Sequence, residues 1–306
     1  MSTTPNEADF DVVVVGGSYA GLSAATQLAR ARRSVLVIDA GQRRNRYADH
    51  SHGFLTQDGA EAAAIAAIGS AQLQAYPTVA WRTGTATSAA AAPEGFCVTL
   101  EDGARVSARR LVLAGGVIDE LPAVEGLAER WGRSVFHCPY CHGYELDQGE
   151  IGVLATSALS MHHALMLPDW GRVTLFLNGV FEPDAAQLAL LASRGVQLER
   201  TLVARIAGHA DVVLHDGRTL PMAGLFVMSH MRMASPLAQQ LGCAMEDGHA
   251  GRYVRTDAMQ ASSVPGVFCC GDMARAAGNV AFAVADGAMA GVAAHRSLIA
   301  ELNTPA

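Results

Sequence analysis

Apolar positions along this 306-residue chain fall into short continuous runs separated by glycine-rich or polar turns. Residues 11–15 (DVVVV) are too few for a helix and rich in valine, which predicts a buried parallel strand. A glycine-rich turn follows, then small and apolar residues over 22–31 that suit a tightly packed helix, then a second strand over 34–39 (SVLVID). Together they predict a β-α-β unit of about 30 residues. The polar stretch 41–59 carries Arg43, Arg44, Arg46, His50 and His52 and reads as an extended loop over a cofactor. Next come an alanine-rich helix over 61–75, a hairpin joining 98–100 to 104–106, and a short strand over 110–114 that runs into Gly115-Gly116.

From residue 151 the plan repeats. A strand over 151–154, a helix over 158–167 and a strand over 172–177 lead to a hairpin (212–215 with 218–220) and another strand over 225–228. A last strand over 267–270 precedes Gly271-Asp272 and a long helix of small residues over 280–299. The shared order predicts an α/β protein with two Rossmann-like domains, the second inserted into the first. The expected divisions are 1–117 and 246–306 for the first domain and 118–245 for the insertion.

Half the residues are hydrophobic and 17% are charged, as in a globular protein. A net charge of −7 gives nucleic acid and anionic membranes no reason to bind. The N-terminus has neither a basic region nor an apolar core of the signal-peptide kind. No apolar run reaches the roughly 20 residues that span a bilayer. A cytoplasmic protein is expected, with the first eight and last four residues as disordered tails. Of six cysteines, Cys97, Cys243, Cys269 and Cys270 lie among apolar or small residues and read as buried hydrophobes.

The turn Gly16-Gly17-Ser18-Tyr19-Ala20-Gly21 follows a strand and opens a helix, the setting that makes a glycine fingerprint credible. Gly16 permits the tight turn and Gly21 the close packing of helix on sheet. The amides of Ser18, Tyr19 and Ala20 then face a pyrophosphate. Asp39, ending the second strand, is placed to accept hydrogen bonds from a ribose. Asp272, beside Gly271 at the end of a buried strand, suits the ribityl hydroxyls of a flavin. Asn279 and Val280 start a helix whose amides can face the pyrimidine carbonyls of the flavin ring.

Between these halves stands His137-Cys138-Pro139-Tyr140-Cys141-His142, a C-x-x-C pair flanked by imidazoles. Pro139 stiffens the turn, Tyr140 is expected to shield one sulfur, and nearby cations favour the reactive thiolate. His142, or His137 from the other side, titrates near neutrality and can deprotonate an incoming thiol. Zinc is a poor alternative, because His137 cannot easily share a metal with the adjacent Cys138 and no further ligand motif completes four.

The glycine fingerprint, the strand end Leu113-Ala114-Gly115-Gly116, the central C-x-x-C and Gly271-Asp272 resemble, nearly end to end, the low-molecular-weight thioredoxin reductases among FAD-dependent disulfide oxidoreductases. That resemblance implies non-covalent FAD, with Ala114 and Gly115 against it, and a homodimer. It makes Cys138 the outer sulfur that exchanges with substrate and Cys141 the inner one that passes electrons to flavin. It also puts His142 where thioredoxin reductases carry an acidic proton donor.

The chain departs from that pattern at its second nucleotide turn. After the strand over 151–154 the turn reads Ala155-Thr156-Ser157-Ala158-Leu159-Ser160, with no glycine to admit a pyrophosphate. The next strand ends Phe176-Leu177-Asn178-Gly179, with neither arginines for a 2′-phosphate nor an acid for a ribose. This departure is similar to the FAD-dependent dithiol oxidases that close disulfides in natural products such as holomycin, gliotoxin and romidepsin. In that reading a small-molecule dithiol reduces the Cys138–Cys141 pair, the pair reduces FAD, and O2 reoxidises it to give H2O2. Met228, His230, Met231, Met233, Met161, His162 and His163 are candidates to line the vacated cleft. Two readings stay beside it: a thioredoxin-reductase-like enzyme using NADPH or another donor such as ferredoxin, and a low-turnover flavin redox sensor.

Overall fold

A computed structural model of the chain describes residues 9–301, without the side chains of residues 300 and 301. The tails expected to be disordered lie outside the described residues. Contacts divide the chain into two compact units. The first gathers the residues up to Arg44, Ala63–Ile118 and those from Met231 onward; the second comprises Asn45–Ala62 and Asp119–His230. The insertion therefore ends at His230, ahead of the expected 245, and the loop after Arg44 groups with it.

In the first unit, Val79–Thr83, Val35–Asp39, Phe10–Val15 and Arg105–Leu113 lie side by side as parallel strands. Val12, Val13 and Val14 have no exposed surface, as an apolar run covered on both faces requires. Arg105–Leu113 is one strand where the sequence suggested two short ones. Its first half pairs antiparallel with Gly95–Leu100, and its last three residues pair parallel with Val267–Cys269. Ala86–Ala92 joins the edge of the sheet through Gly95–Leu100. Alanine favours helix, so only this cross-strand pairing explains a strand there.

Two helices cover one side. Tyr19–Arg30 packs along the C-terminal helix Val280–Glu301 at a distance only glycine allows. A Cβ on Gly287 would stand 2.1 Å from the Ala20 carbonyl oxygen, and one on Gly291 would stand 2.4 Å from that of Ala24. Ser23 Oγ donates to the Val284 carbonyl across the same seam, at 2.7 Å.

The second unit has a five-stranded parallel sheet in the order Val135–Phe136, Gly224–Val227, Glu150–Leu154, Arg172–Phe176, Gln197–Glu199. An antiparallel trio, Val203–Ala207, Asp211–Leu214 and Thr219–Leu220, follows as in the first unit. The sequence missed the helix Ala185–Ser193, whose hydrophobicity shows little amphipathic period but whose Asp184 and Gln187 form a capping box. It also missed the four-residue helix Pro139–His142. Cys243, Cys269 and Cys270 are buried as expected, whereas Cys97 is half-exposed and accepts from Arg105 Nε at 3.3 Å. No described helix is long and apolar enough to cross a membrane.

The helix seam yields a direct test. Gly287→Ala is expected to cost about 2 kcal/mol, as overpacking of a tight contact does, read as a lowered midpoint in urea. Gly266→Ala is no control because its φ is positive; Ala288→Ser, one residue along, should leave the midpoint unchanged.

Candidate functional site

The dithiol lies at the start of the helix Pro139–His142, in the second unit. Cys138 is in extended conformation (φ −114°, ψ 109°) as the helix cap, and Pro139 occupies the first turn, where its missing N–H costs nothing. One helical turn then brings Cys141 under Cys138. The two form a disulfide with their Cα atoms 5.3 Å apart. Both residues are half-buried.

Aromatic rings hold this turn on both flanks. His142 stacks on Phe136 with centroids 4.3 Å apart, and Phe136 leans on Phe226. His137 stacks on Trp131 at 5.7 Å. Tyr140 does not act as the expected shield: it is 74% exposed and meets the edge of Trp170 at 5.3 Å. Gly143 lets that indole close over the helix end, since a Cβ there would be 2.8 Å from Trp170 Cδ1.

Burial holds the His142 imidazole down to a pKa of about 4, and the neighbouring charge of His52 adds to the effect. His52 is itself steered by carboxylates, with Nδ1 3.4 Å from Glu145 Oε1 and 3.8 Å from Asp58 Oδ1. The predicted flanking imidazole is thus a neutral base, and a second imidazole with two acidic neighbours stands by it. His52 had been left uncommitted in the polar loop; nothing in the local sequence connects it to residue 142. His163 is buried too, and its pKa also lies near 4, mainly through desolvation.

The first unit assembles the predicted nucleotide cradle. Gly16 takes φ +107°, and a Cβ there would stand 2.3 Å from the Ala114 carbonyl oxygen. A Cβ on Gly21 would collide with the Gly16 carbonyl oxygen at 1.7 Å. Ser18 caps the helix without a side-chain hydrogen bond, so its hydroxyl leaves the first turn open. Asp39 Oδ1 accepts from Gly17 N at 3.1 Å and so braces the turn. Gly271 (φ +72°) comes within 2.9 Å of the Ala20 methyl group, measured from the position of a Cβ. A Cβ on Gly115 would be 3.3 Å from the Ser235 side chain. Asn279 caps the C-terminal helix, its Oδ1 accepting from Phe282 N at 2.8 Å, and Val280 is the first helical residue.

Three cradle residues escaped the sequence reading. Arg44 donates to Asp272 Oδ2 at 2.9 Å, holding the carboxylate at the strand end. Trp81 packs against Gly17, and Gly278 packs against Asp272. Arg44 stood out only as one of several loop arginines, 228 residues from its partner.

The corresponding turn of the second unit is closed by its own side chains. Thr156 N donates to Ser160 Oγ at 3.1 Å and Leu159 N to Ser157 Oγ at 3.2 Å. Ser160 N, Met161 N and His162 N donate to the carbonyls of Ser157, Ala158 and Leu159. Thr156 Oγ1 donates to the Met228 carbonyl. At the next strand end, Asn178 Oδ1 accepts from Val203 N at 2.9 Å. The amides that would receive a pyrophosphate are already bonded.

The family model for pyridine nucleotide-disulphide oxidoreductases matches residues 10–290. The chain belongs to that family. As a member it is an oxidoreductase, in a family of flavoproteins whose solved thioredoxin reductases share this two-domain fold. A thioredoxin reductase of Leptosphaeria maculans, sirT, is 33% identical over 95% of this chain and 94% of its own. An oxidoreductase from Agrobacterium tumefaciens superposes with a TM-score of 0.92 at 57% identity, covering 95% of this chain and 98% of that one. The solved structure of HlmI matches with a TM-score of 0.90 and 34% identity, over 98% of this chain and 96% of that chain.

The two buried imidazoles set a pH dependence. Each has a folded pKa near 4, below the unfolded value of about 6.5, so the unfolded chain takes up these protons first. Their contribution to stability is complete above pH 6.5 and falls as pH drops towards 4. Thermal melts between pH 7 and 4.5 should show a falling midpoint, and His163→Phe should flatten that slope. An unchanged slope in the variant would show that His163 is not buried neutral.

Proposed function

We propose that this protein is an FAD-dependent dithiol oxidase that closes a disulfide in a small-molecule dithiol and hands the electrons to O2. The observation that carries the reading is the self-bonded turn over residues 155–160, set against the open glycine turn over residues 16–21 in the same chain. One unit keeps a cradle for a dinucleotide, and the other has spent the amides that would hold NADPH. Electrons then enter through the thiols.

FAD fits the residues of the first unit. A side chain at Gly16 or Gly21 would fill the turn, Ser18 leaves the helix start open, and Asp272 with Asn279 and Val280 supplies the polar end of the cradle. When bound, FAD supplies a two-electron acceptor that O2 reoxidises with release of H2O2.

The dithiol chemistry is exchange. A substrate thiolate attacks Cys138 Sγ, Cys141 leaves as a thiolate, and the second substrate thiolate attacks the mixed disulfide and frees Cys138. His142, neutral and beside the pair, receives one substrate proton; His52, drawn by Glu145 and Asp58, receives the other. A base of pKa about 4 is weak before the reaction, and the thiolate charge it helps create raises its affinity for the proton. The pair re-forms its disulfide by yielding two electrons to the flavin.

The printed name of the Leptosphaeria maculans relative favours a second reading, disulfide reduction at the expense of NADPH. Anaerobic flavin bleaching separates the two. A small dithiol such as dithiothreitol should bleach the flavin, and admitting air should return the colour with peroxide, while NADPH leaves the spectrum unchanged. Cys138→Ser and Cys141→Ser should each keep the flavin and lose the bleaching. Rapid bleaching by NADPH instead would make the reductase the correct reading.

The reading also takes the chain as a cytoplasmic homodimer. Phe282, Met289, Val292 and Ile299 lie along one face of the C-terminal helix at spacings of 7, 3 and 7, each about two-fifths exposed. Such a heptad-like stripe suits a second copy of the same helix. Sedimentation should find a particle of two 32.0 kDa chains, and Met289→Asp with Val292→Asp should give a monomer that retains flavin. A monomeric wild-type protein would refute the dimer.

A further inference from the structure

The helix Ser160–Met166 follows the closed turn and carries a histidine that the exchange chemistry does not use. His163 is 6% exposed. Its ring meets Phe226 edge-on at 6.2 Å; Phe226 leans on Phe136 at 5.7 Å, and Phe136 stacks on His142 at 4.3 Å. The same imidazole hydrogen-bonds the backbone of His137, the residue before Cys138. Nδ1 is buried and has no hydrogen-bond partner. The bond to the His137 carbonyl is therefore made by Nε2–H, and the neutral ring carries its lone pair on Nδ1.

A phenylalanine would fill this position without an orphan acceptor. Leaving a buried acceptor unsatisfied costs about 1–3 kcal/mol, so the chain retains at this site a polar ring that lowers its stability. The return is a brace on both flanks of the dithiol: one hydrogen bond to the peptide that enters Cys138, and one aromatic ladder to the ring that follows Cys141.

We propose that His163 is a positioning residue for the Cys138–Cys141 pair, fixing the peptide ahead of Cys138 so that the two sulfurs stand in bonding register. The inference rests on the pair being redox-active, and not on which way electrons flow. Two thiols held in register close a disulfide with a high effective concentration, and a looser turn lowers it.

The test is a redox titration of the purified flavin-loaded protein in glutathione buffers, with the free thiols trapped by alkylation. Oxidised glutathione takes two electrons and two protons from the Cys138 and Cys141 thiols and becomes two molecules of glutathione, while one intramolecular S–S bond forms. The trap counts thiols on the Cys97→Ser, Cys243→Ser background, so that the pair dominates the signal. In His163→Phe the equilibrium constant for closing the disulfide should fall about tenfold, a shift of about 30 mV for two electrons, with the protein folded and the flavin retained. His163→Gln keeps an N–H that can reach the carbonyl and should titrate close to wild type. An unshifted constant in His163→Phe would overturn the proposal, and so would an equal shift in both variants. Should His163→Phe fail to fold, a wild-type constant in His163→Gln together with a shifted one in His163→Leu decides for the brace, and three equal constants decide against it. Failure here leaves the oxidase reading untouched, since that reading is judged by flavin bleaching with dithiol or NADPH.

Discussion

Two cysteines three residues apart can bond only if the backbone between them makes one helical turn, and a four-residue helix is not stable alone. Everything around residues 137–142 serves that constraint. Pro139 pre-sets the first turn, Gly143 admits the Trp170 indole over its end, and the rings of Trp131, Phe136 and Phe226 close its sides. The turn is held by packing, not by propensity. The same packing takes His142 partly out of water and makes it a neutral imidazole beside a disulfide, ready to receive a proton when a thiol approaches. Structure and acid–base state thus share one cause.

Backbone amides account for the difference between the two nucleotide turns. A strand that runs into a helix leaves N–H groups with no partner in the helix. In the turn over 16–21 glycine backbone approaches so closely that no side chain fits, and Ser18 makes no cap. In the turn over 155–160 two serine hydroxyls and three carbonyls take those donors. The first arrangement keeps its donors for an anion, and the second has no need of one. The two units share a fold and differ in what a handful of small side chains do at one corner of it.

The β-α-β units, the inserted second domain and the nucleotide turn were legible because their signals are local: valine runs, glycines at a strand-to-helix junction, a carboxylate at a strand end. The closed turn was legible in part, since the missing glycines are visible while the serine hydrogen bonds are not. Residues that act across long separations were not legible. Arg44 reaches Asp272 from the other end of the chain, and His52 reaches Glu145 from a polar loop with no periodicity. Ala86–Ala92 became a strand because a partner strand offered hydrogen bonds, against its own composition. Tyr140, expected over a sulfur, turned outward to Trp170 because a four-residue helix points its second side chain away from the cap.

One helix connects the two departures from a nicotinamide-using reductase. Ser160–Met166 begins with the serine that closes the nucleotide turn and carries, one turn later, the histidine that reaches the dithiol. Its position satisfies both sets of contacts at once. A glycine turn that opened to a pyrophosphate would need Thr156 N released from Ser160, and the start of this helix would shift with it. That shift would be felt at His163, whose ring lies in a packed ladder with little slack. Closing the nucleotide site and bracing the sulfurs are therefore one structural state of the second unit, and reopening the site by restoring glycines would strain the pair that the proposed oxidation depends on.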